Sequence, residues 1–294
     1  MKAKTSGYVF ALLTVCTFAA LDGFSRLLGE KYSPFFITMV RFWGFAVFVS
    51  ILAATSPGGM RSAIQSLNPL LQIARGLLLV SASALCVWAY KYAGLATSMA
   101  ILQVTPLLVT FLSVPLLGEI VGWRRATAVV VGLIGVIIII NPVTVHGDFA
   151  LLLPVSGAIL NALYGVGTRA VGRRDSFQTS ALYTGVFGAV FSTVPGVLCW
   201  ESIEHSDWLP MASLCLTGAL GHYFLIRAYA VLEALEVQPL IYLQLLFGIA
   251  VAVVFFNEAL TWNMGVGAFL VVGSGMFSVW REHSQAKRSR TAIP

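Results

Sequence analysis

Charge is scarce in this chain. Of its 294 residues only 10% are Asp, Glu, Lys or Arg, and 58% are hydrophobic. Soluble globular domains carry about a quarter charged residues, and mean hydropathy here is +0.88. This is too few charged residues to cover the surface of a protein in water. We therefore expect lipid to be the main solvent of this chain. The surplus of +6 charges lies in short loops between apolar segments, which indicates membrane topology and excludes a nucleic-acid partner.

Catalytic and metal-binding motifs are also missing. The sequence contains no HExxH, no GxSxG, no Walker loop and no GxGxxG after a strand. The four cysteines have no metal-ligand spacing and the four histidines are scattered. We therefore expect no catalytic residues, no metal and no cofactor, and a protein that is not an enzyme. Without a nucleotide-binding motif, ATP is not expected to be the direct energy source.

Long apolar segments are abundant. Backbone groups in lipid must be hydrogen-bonded internally, and about twenty apolar residues without period-two alternation predict a transmembrane helix. We predict an all-α membrane protein with ten transmembrane helices, at residues 7–28, 34–54, 70–92, 96–117, 124–141, 149–171, 178–199, 208–231, 236–256 and 262–280. The longest loop, residues 55–69, is expected to hold a short interfacial helix.

The two halves of the chain repeat each other. At an offset of 139 residues, Glu119 matches Glu258 and Trp123 matches Trp262. Because five helices per half is an odd number, the second half enters the membrane from the opposite side, an inverted repeat typical of carriers. We predict repeats at 1–142 and 149–281 and a basic cytoplasmic tail at 282–294. The first segment resembles a signal peptide, but cleavage would break this arrangement and is not expected.

Lysine and arginine placement predicts the orientation. With the N-terminus in the cytoplasm, fourteen of the 18 basic residues fall at or near the inner face and four fall toward the outer face. An excess of basic residues marks the cytoplasmic side. Both termini are therefore expected in the cytoplasm.

Some charged, titratable and helix-breaking residues within predicted spans are candidates for gating or coupling, because placing polar groups in hydrocarbon is costly. Asp22 and Arg41 lie at similar depths and could pair, either as an outer gate and coupling carboxylate or as a structural ion pair. His222 could carry a proton or hold a substrate, or be a helix-bonded bystander. Pro106 can bend its helix and expose backbone groups to a cavity, or mark a packing kink.

Hydrogen-bonding and aromatic side chains in several spans are candidates for substrate binding. Gln103 matches Tyr242 by the repeat offset, and Gln244 matches Thr105, so symmetry-related helices bring polar groups to similar depths. The predicted binding set is Arg75, Trp88, Gln103, Asn161, Tyr164, His222, Tyr242 and Gln244. For Trp88 an interfacial aromatic belt is the alternative.

Two acids and several glycines mark helix ends and helix contacts. Glu119 and Glu258 occupy matched helix ends and are predicted hinge residues that fix tight turns. Glycines in the fifth and tenth spans indicate close helix packing, either internal or at a dimer face.

Short motifs resemble the drug/metabolite transporter superfamily, EamA type. They are Leu116-Leu117-Gly118-Glu119, Trp123-Arg124, the run from Gly132 to Asn141-Pro142, and Phe256-Asn257-Glu258-Ala259. Other short segments, among them Leu21-Asp22-Gly23, Arg41-Phe42 and Gly221-His222, resemble a branch that contains bacterial riboflavin and S-adenosylmethionine uptake carriers. The resemblance implies two five-helix units, with a pocket between spans one, three, four, six, eight and nine. Spans five and ten are expected outside it.

The resemblance implies a secondary carrier of the bacterial inner membrane that works by alternating access. We expect uptake of a metabolite such as riboflavin or S-adenosylmethionine. Export of amino acids or related metabolites is the alternative, and a membrane receptor without transport is the alternative from another class. The expected partners are a small-molecule metabolite, the lipid bilayer and a coupling proton or other ion. The protein is expected to be a monomer or a homodimer.

Overall fold

The structure, a computed structural model, describes residues 2–56, 58–118, 122–140, 149–172, 174–229, 232, 237 and 240–291, and these contain no β-strand. The helices are α1 (Lys2–Lys31), α2 (Pro34–Thr55), α3 (Gly59–Ile64), α4 (Pro69–Tyr92), α5 (Leu95–Leu102), α6 (Thr105–Leu117), α7 (Trp123–Ile140), α8 (Leu152–Val171), α9 (Phe177–Leu198), α10 (Trp208–Tyr229), α11 (Leu243–Phe256) and α12 (Trp262–Thr291). Single 3-10 turns, Phe149–Leu151 and His205–Asp207, precede α8 and α10.

Helix occupies most of the described part of every predicted span, and the all-α prediction is confirmed. Among the described residues, six helical segments are long and apolar enough to cross a bilayer: Thr5–Lys31, Pro34–Thr55, Pro69–Tyr92, Leu95–Leu117, Phe149–Val171 and Phe177–Leu198. The short helix expected in the loop at 55–69 is α3. Large apolar side chains point outward, with Val254 70%, Phe255 74% and Phe269 76% exposed. Lipid is the solvent that such a surface requires.

The fourth predicted span is interrupted near its middle. α5 ends at Leu102, a turn follows at 103–104, and α6 begins at Thr105. Pro106 lies in the first turn of α6, where its missing N–H does no harm. The hydroxyl of Thr105 donates to the carbonyl of Leu102 at 2.6 Å, which satisfies an acceptor that the interruption leaves free. The proline thus marks a break between two helices.

The ninth predicted span has a turn at the equivalent place. Tyr242 forms a turn directly before α11, and it matches Gln103 at the repeat offset. The Gln103 side chain donates to the backbone carbonyl of Tyr242, with 3.4 Å between nitrogen and oxygen. The two irregular points therefore touch each other.

Helix packing follows a twofold pattern. α1 packs on α10 as α8 packs on α4, α1 on α11 as α8 on α6, and α4 on α9 as α10 on α2. Three further pairs join equivalent spans of the two halves: α2 with α9, α7 with α12, and α5 of the fourth span with α11 of the ninth. A twofold axis between the halves produces this set of pairs. Within the described residues, helices occupy five of the predicted spans in each half, an odd number, so this axis relates repeats of inverted topology.

Glycines bring α7 and α12 into backbone contact. A Cβ atom on Gly135 would lie 2.8 Å from the carbonyl oxygen of Gly267, and one on Gly267 would lie 2.5 Å from that of Gly135. Small residues allow this approach, as in many membrane helix pairs. For Gly135 and Gly267 the structure shows internal packing, one of the two predicted alternatives, whereas an added Cβ at Gly265 or Gly273 would have no described atom within 4 Å.

Candidate functional site

One large cavity lies between the two repeats. Its volume is about 880 Å³, and its walls come from α1, α2, α4, α5, α8, α9, α10 and α11. Among the described residues, none of the lining belongs to α7 or α12. The walls therefore include α2 and α9 in addition to the spans that the resemblance implied.

The two ends of the cavity differ in exposure. At one end, hereafter the open end, the lining includes Gly172 and Phe177, both exposed at the protein surface. Toward the other, the closed end, the lining includes Ser25, Val87 and Tyr90, which are at most 4% exposed. α1 runs from the open end to the closed end, so the chain begins at the open end.

Asp22 is held in the cavity wall by two neutral donors. The Tyr90 hydroxyl donates to Oδ1 at 3.0 Å, and the Gln244 side-chain amide donates to Oδ2 at 2.9 Å. These donors come from α4 and α11, so the carboxylate links three helices. The residue equivalent to Asp22 in the second repeat is Asn161, which also lines the cavity. The charge at this position is therefore present in one repeat alone.

Arg41 lines the same cavity from α2. The predicted direct pair with Asp22 does not form. Within the described residues, the guanidinium takes part in no hydrogen bond and no ion pair, although the two charges interact through space. The guanidinium carbon lies 5.7 Å from the centre of the Phe42 ring. Arg41 thus offers unused donors beside the cavity.

His222 lies between two phenylalanine rings. Its ring centre is 5.2 Å from that of Phe18 and 4.8 Å from that of Phe45, both edge-on. Gly221 allows the first contact, since a Cβ there would lie 2.5 Å from Phe18 Cε1. His222 Nδ1 is buried and has no hydrogen-bond partner within the described part of the chain. This nitrogen is available to a water or a ligand in the cavity.

Arg75 is buried and fully engaged. It is 2% exposed, and its Nε donates to Thr168 Oγ1 at 3.1 Å and its Nη2 to Tyr164 OH at 3.4 Å. Nη1 donates to Gln72 Oε1. The guanidinium carbon lies 5.0 Å from the centre of the Tyr164 ring. Arg75 therefore ties α4 to α8.

Asp175 fastens the loop after α8 to the first turn of α4 and the segment before it. It accepts from the Ser66 hydroxyl at 2.5 Å, the Leu67 N–H at 2.8 Å and the Gln72 amide at 2.8 Å. Burial alone would raise the pKa of Asp175, but these three hydrogen bonds and the nearby Arg75 outweigh it and lower the pKa below 3.8. We call Asp175, Ser66, Leu67 and Gln72 the open-end clasp.

A corresponding clasp holds the closed end. Lys31 Nζ lies 3.0 Å from both carboxylate oxygens of Asp207, and the Tyr32 hydroxyl donates to Asp207 at 2.9 Å. The Ser33 N–H donates to Glu201 at 2.8 Å. The hydrogen bond from Lys31, which outweighs burial, lowers the pKa of Asp207 below its ordinary value. These five residues, the closed-end clasp, join the loop after α1 to the loop before α10, the symmetry equivalent of the contact at the open end.

The structure brings seven of the predicted site residues to the cavity: Asp22, Arg41, Arg75, Asn161, Tyr164, His222 and Gln244. Four others do not line it. Gln103 and Tyr242 contact each other, and the Tyr242 ring packs against Gly275 of α12. Trp88 packs edge-on against Phe35, with ring centres 5.0 Å apart. Pro106 begins α6, as described above.

The predicted hinge residue Glu258 binds the start of α5. Its carboxylate accepts the N–H groups of Leu95 at 2.7 Å and Ala96 at 2.9 Å, and lies 3.9 Å from Arg26. Gly94 precedes this turn with φ +84°, and a Cβ there would lie 3.1 Å from the carboxylate. Glu258 thus caps a helix of the other repeat. Glu119 lies outside the described residues.

Sequence reasoning missed several lining residues. Tyr90, near the end of the third predicted span, was not among the predicted binding residues, yet it is 4% exposed and its hydroxyl donates to Asp22. Phe45 and Phe48 also line the cavity, but in the sequence they are indistinguishable from the other apolar residues of the second span. Asp175 lies in a loop, outside the predicted spans, and nothing in the sequence marked it as a cavity residue. The match of Tyr90 with Tyr229 at the repeat offset was a usable signal for Tyr90.

These features define a class of protein. A multi-pass helical bundle with two inverted repeats, and a cavity between them that carries polar side chains on a largely apolar wall and is closed at one end, has the architecture of a membrane transporter.

The comparison with known proteins agrees with this class and narrows it. The EamA-like transporter family matches residues 5–141 and 148–280, and the chain belongs to that family. It is similar to the S-adenosylmethionine uptake transporter of Rickettsia prowazekii, with 23% identity over 96% of this chain and 95% of that protein. It is also similar to the riboflavin transporter of Vibrio cholerae, with 27% identity over 82% of each chain.

A protein of known crystal structure has the same fold. The TM-score is 0.62 at 19% identity, and the match covers 91% of this chain and 96% of the other. The chain is therefore a multi-pass membrane transporter of metabolites, in the family that the short motifs had indicated.

Proposed function

We propose that this chain is a secondary-active carrier that takes up a sizeable organic metabolite, S-adenosylmethionine or riboflavin, by alternating access. The cavity carries the proposal: about 880 Å³, lined by polar residues of both repeats and closed at one end. Cavities that hold small organic ligands measure about 300–1,000 Å³. Uptake is favoured over export because the S-adenosylmethionine relative is named an uptake transporter. Transport is favoured over catalysis or receptor function because the family is one of transporters.

The proposed binding residues are those that face the cavity. Asp22, Arg41, Asn161, His222 and Gln244 would contact the substrate, with Tyr164 forming part of the wall. Asp22 and His222 are the titratable candidates for coupling to a proton. We place the chain in the bacterial inner membrane, as a monomer or homodimer, with both termini in the cytoplasm. In that orientation the open end faces the cytoplasm.

Transport by purified protein in proteoliposomes tests the proposal. Labelled S-adenosylmethionine and riboflavin are supplied separately, and both net uptake and exchange against internal unlabelled compound are measured. Saturable uptake and exchange of either compound are expected. Binding without movement across the membrane would indicate a receptor, and absence of both would refute the proposal.

Matched variants connect transport to the cavity. Asp22→Asn should lower uptake by at least about ten-fold, since hydrogen bonds to a charged group contribute about 1.5–3 kcal/mol. Glu30→Gln is the control, because Glu30 is another carboxylate on α1 with a side chain 48% exposed. Deletion of the gene in the source bacterium separates the directions. Loss of an importer creates a nutrient requirement, whereas loss of an exporter creates toxicity.

A further inference from the structure

The two arginines that line the cavity differ in what they bind. Each nitrogen of the Arg75 guanidinium donates to a neighbouring side chain. Arg41 has no such acceptor in the described part of the chain. A guanidinium carries five N–H donors in a planar fork that fits a carboxylate or phosphate. Arg41 is therefore the available anion-binding group of the cavity.

Asp22 presents the opposite charge in the same cavity. Each of its oxygens accepts one hydrogen bond from a neutral group, Tyr90 or Gln244. These bonds hold the carboxylate in place, but both donors are neutral. Among the described residues, no cation forms an ion pair with Asp22. Its oxygens have lone pairs left to accept from a bound cation.

Arg41 and Asp22 together select for ligand charge. The two groups interact through space, yet they are not joined by hydrogen bonds or an ion pair. An anionic ligand on Arg41 would be repelled by Asp22, and a cation on Asp22 would be repelled by Arg41. A ligand with both charges satisfies both groups, and in a cavity of low dielectric constant this match is strong.

We propose that Arg41 and Asp22 bind the zwitterionic head of an amino-acid-type substrate, with its carboxylate on the Arg41 guanidinium and its cationic group on Asp22. This inference rests on the proposed function and names the substrate class of the same cavity. The remaining wall is largely apolar and aromatic, with Phe18, Phe45 and Phe48 on it. It leaves room for a larger, partly aromatic body attached to that head. Of the two metabolites proposed above, S-adenosylmethionine has this chemistry and riboflavin lacks the carboxylate.

The test compares two ligands that differ by one group. S-adenosylmethionine and its decarboxylated analogue, which keeps the cationic groups, compete for uptake of labelled S-adenosylmethionine into proteoliposomes. The unaltered protein should prefer the carboxylated ligand by at least about ten-fold, the typical minimum for hydrogen bonds to a charged group. In Arg41→Gln this preference should fall to about one, and Arg41→Lys should restore part of it, because Lys keeps the charge without the planar fork.

Arg61→Gln is the control, since Arg61 is an exposed arginine of α3 that does not line the cavity. It should keep the preference of the unaltered protein. Thermal unfolding of each variant in detergent shows whether it is folded. The comparison of the two ligands on the unaltered protein tests the inference even if a variant does not fold.

The outcomes separate this inference from the proposed function. Uptake of S-adenosylmethionine without preference for the carboxylate, or equal weakening of both ligands by Arg41→Gln, would overturn the zwitterion site while uptake stands. Uptake of riboflavin alone would do the same. If neither metabolite is transported, the proposed function fails and this inference fails with it.

Discussion

Replacing Glu258 with alanine should destabilise the contact between the turn before α12 and the first turn of α5. The carboxylate accepts two backbone N–H groups, from Leu95 at 2.7 Å and Ala96 at 2.9 Å. Without it, two donors at a helix N-terminus lose their acceptor. Gly94 belongs to the same contact, because its φ of +84° favours glycine and a Cβ there would lie only 3.1 Å from the carboxylate.

The magnitude follows from these contacts. Hydrogen bonds to a charged acceptor contribute about 1.5–3 kcal/mol each, and a negative charge near a helix N-terminus contributes about 0.3–1 kcal/mol. The Glu258 side chain is 17% exposed, so water can replace part of what is lost. We therefore expect a loss of about 2–4 kcal/mol in the free energy of unfolding for Glu258→Ala. Glu258→Gln should lose less, because one acceptor oxygen remains.

Glu30 provides the matched control, because both carboxylates lie near Arg26. Glu30 Oε1 is 3.1 Å and Glu258 Oε1 is 3.9 Å from guanidinium nitrogens of Arg26. Glu30→Ala removes a partly exposed i,i+4 pair and should cost about 0.2–0.5 kcal/mol. The assay is reversible unfolding in mixed micelles, followed by helical circular dichroism. Mutational free energies at independent sites add to within about 0.5 kcal/mol. If the losses in unfolding free energy of the two alanine variants differ by less than that, Glu258 does not cap α5 as described.

Three further predictions concern helix packing, the cavity and pH. Gly267→Ala should destabilise the protein by about 1–3 kcal/mol through overpacking, whereas Gly265→Ala, with nothing within 4 Å of the added carbon, should not; unfolding in micelles distinguishes them. Gln244→Ala should reduce uptake, because it removes a donor to the buried carboxylate, while Trp88→Phe, outside the cavity, should transport normally. The pKa of Asp175 is depressed, so its contribution to stability should be fully present above pH 3.8 and be lost as the pH falls through its folded-state pKa. Acid unfolding of Asp175→Asn should lack that step, and an unchanged acid profile would contradict the assignment.

Much of the cavity lining was predictable, because polar residues are rare in apolar spans and can be identified from the sequence. Asp22, Arg41 and His222 stand out in apolar spans, and all three line the cavity. Burial of such groups is costly enough that a residue of this kind has a partner or faces water. The inverted repeat was likewise readable, because matched residues recur at a constant offset.

The rotation of each helix about its axis was not predictable. Gln103 and Tyr242 were correctly matched to each other, yet they meet at the contact of α5 with α11 and do not face the cavity. Trp88 and Tyr90 are two positions apart, about 200° around a helix, so one faces Phe35 while the other binds Asp22. Which side of α4 faces inward depends on its packing against other helices, and the span was apolar on every side.

The contact between Gln103 and Tyr242 has a mechanical consequence. It joins the irregular points of two symmetry-related helices, so it lies close to the line about which the halves exchange places. In a rigid-body rotation, the atoms far from the axis move farthest and those on the axis stay in place. In a carrier that rocks about this line, the two ends of the cavity would open and close in turn, while the Gln103 side chain keeps its hydrogen bond to the Tyr242 carbonyl throughout the cycle.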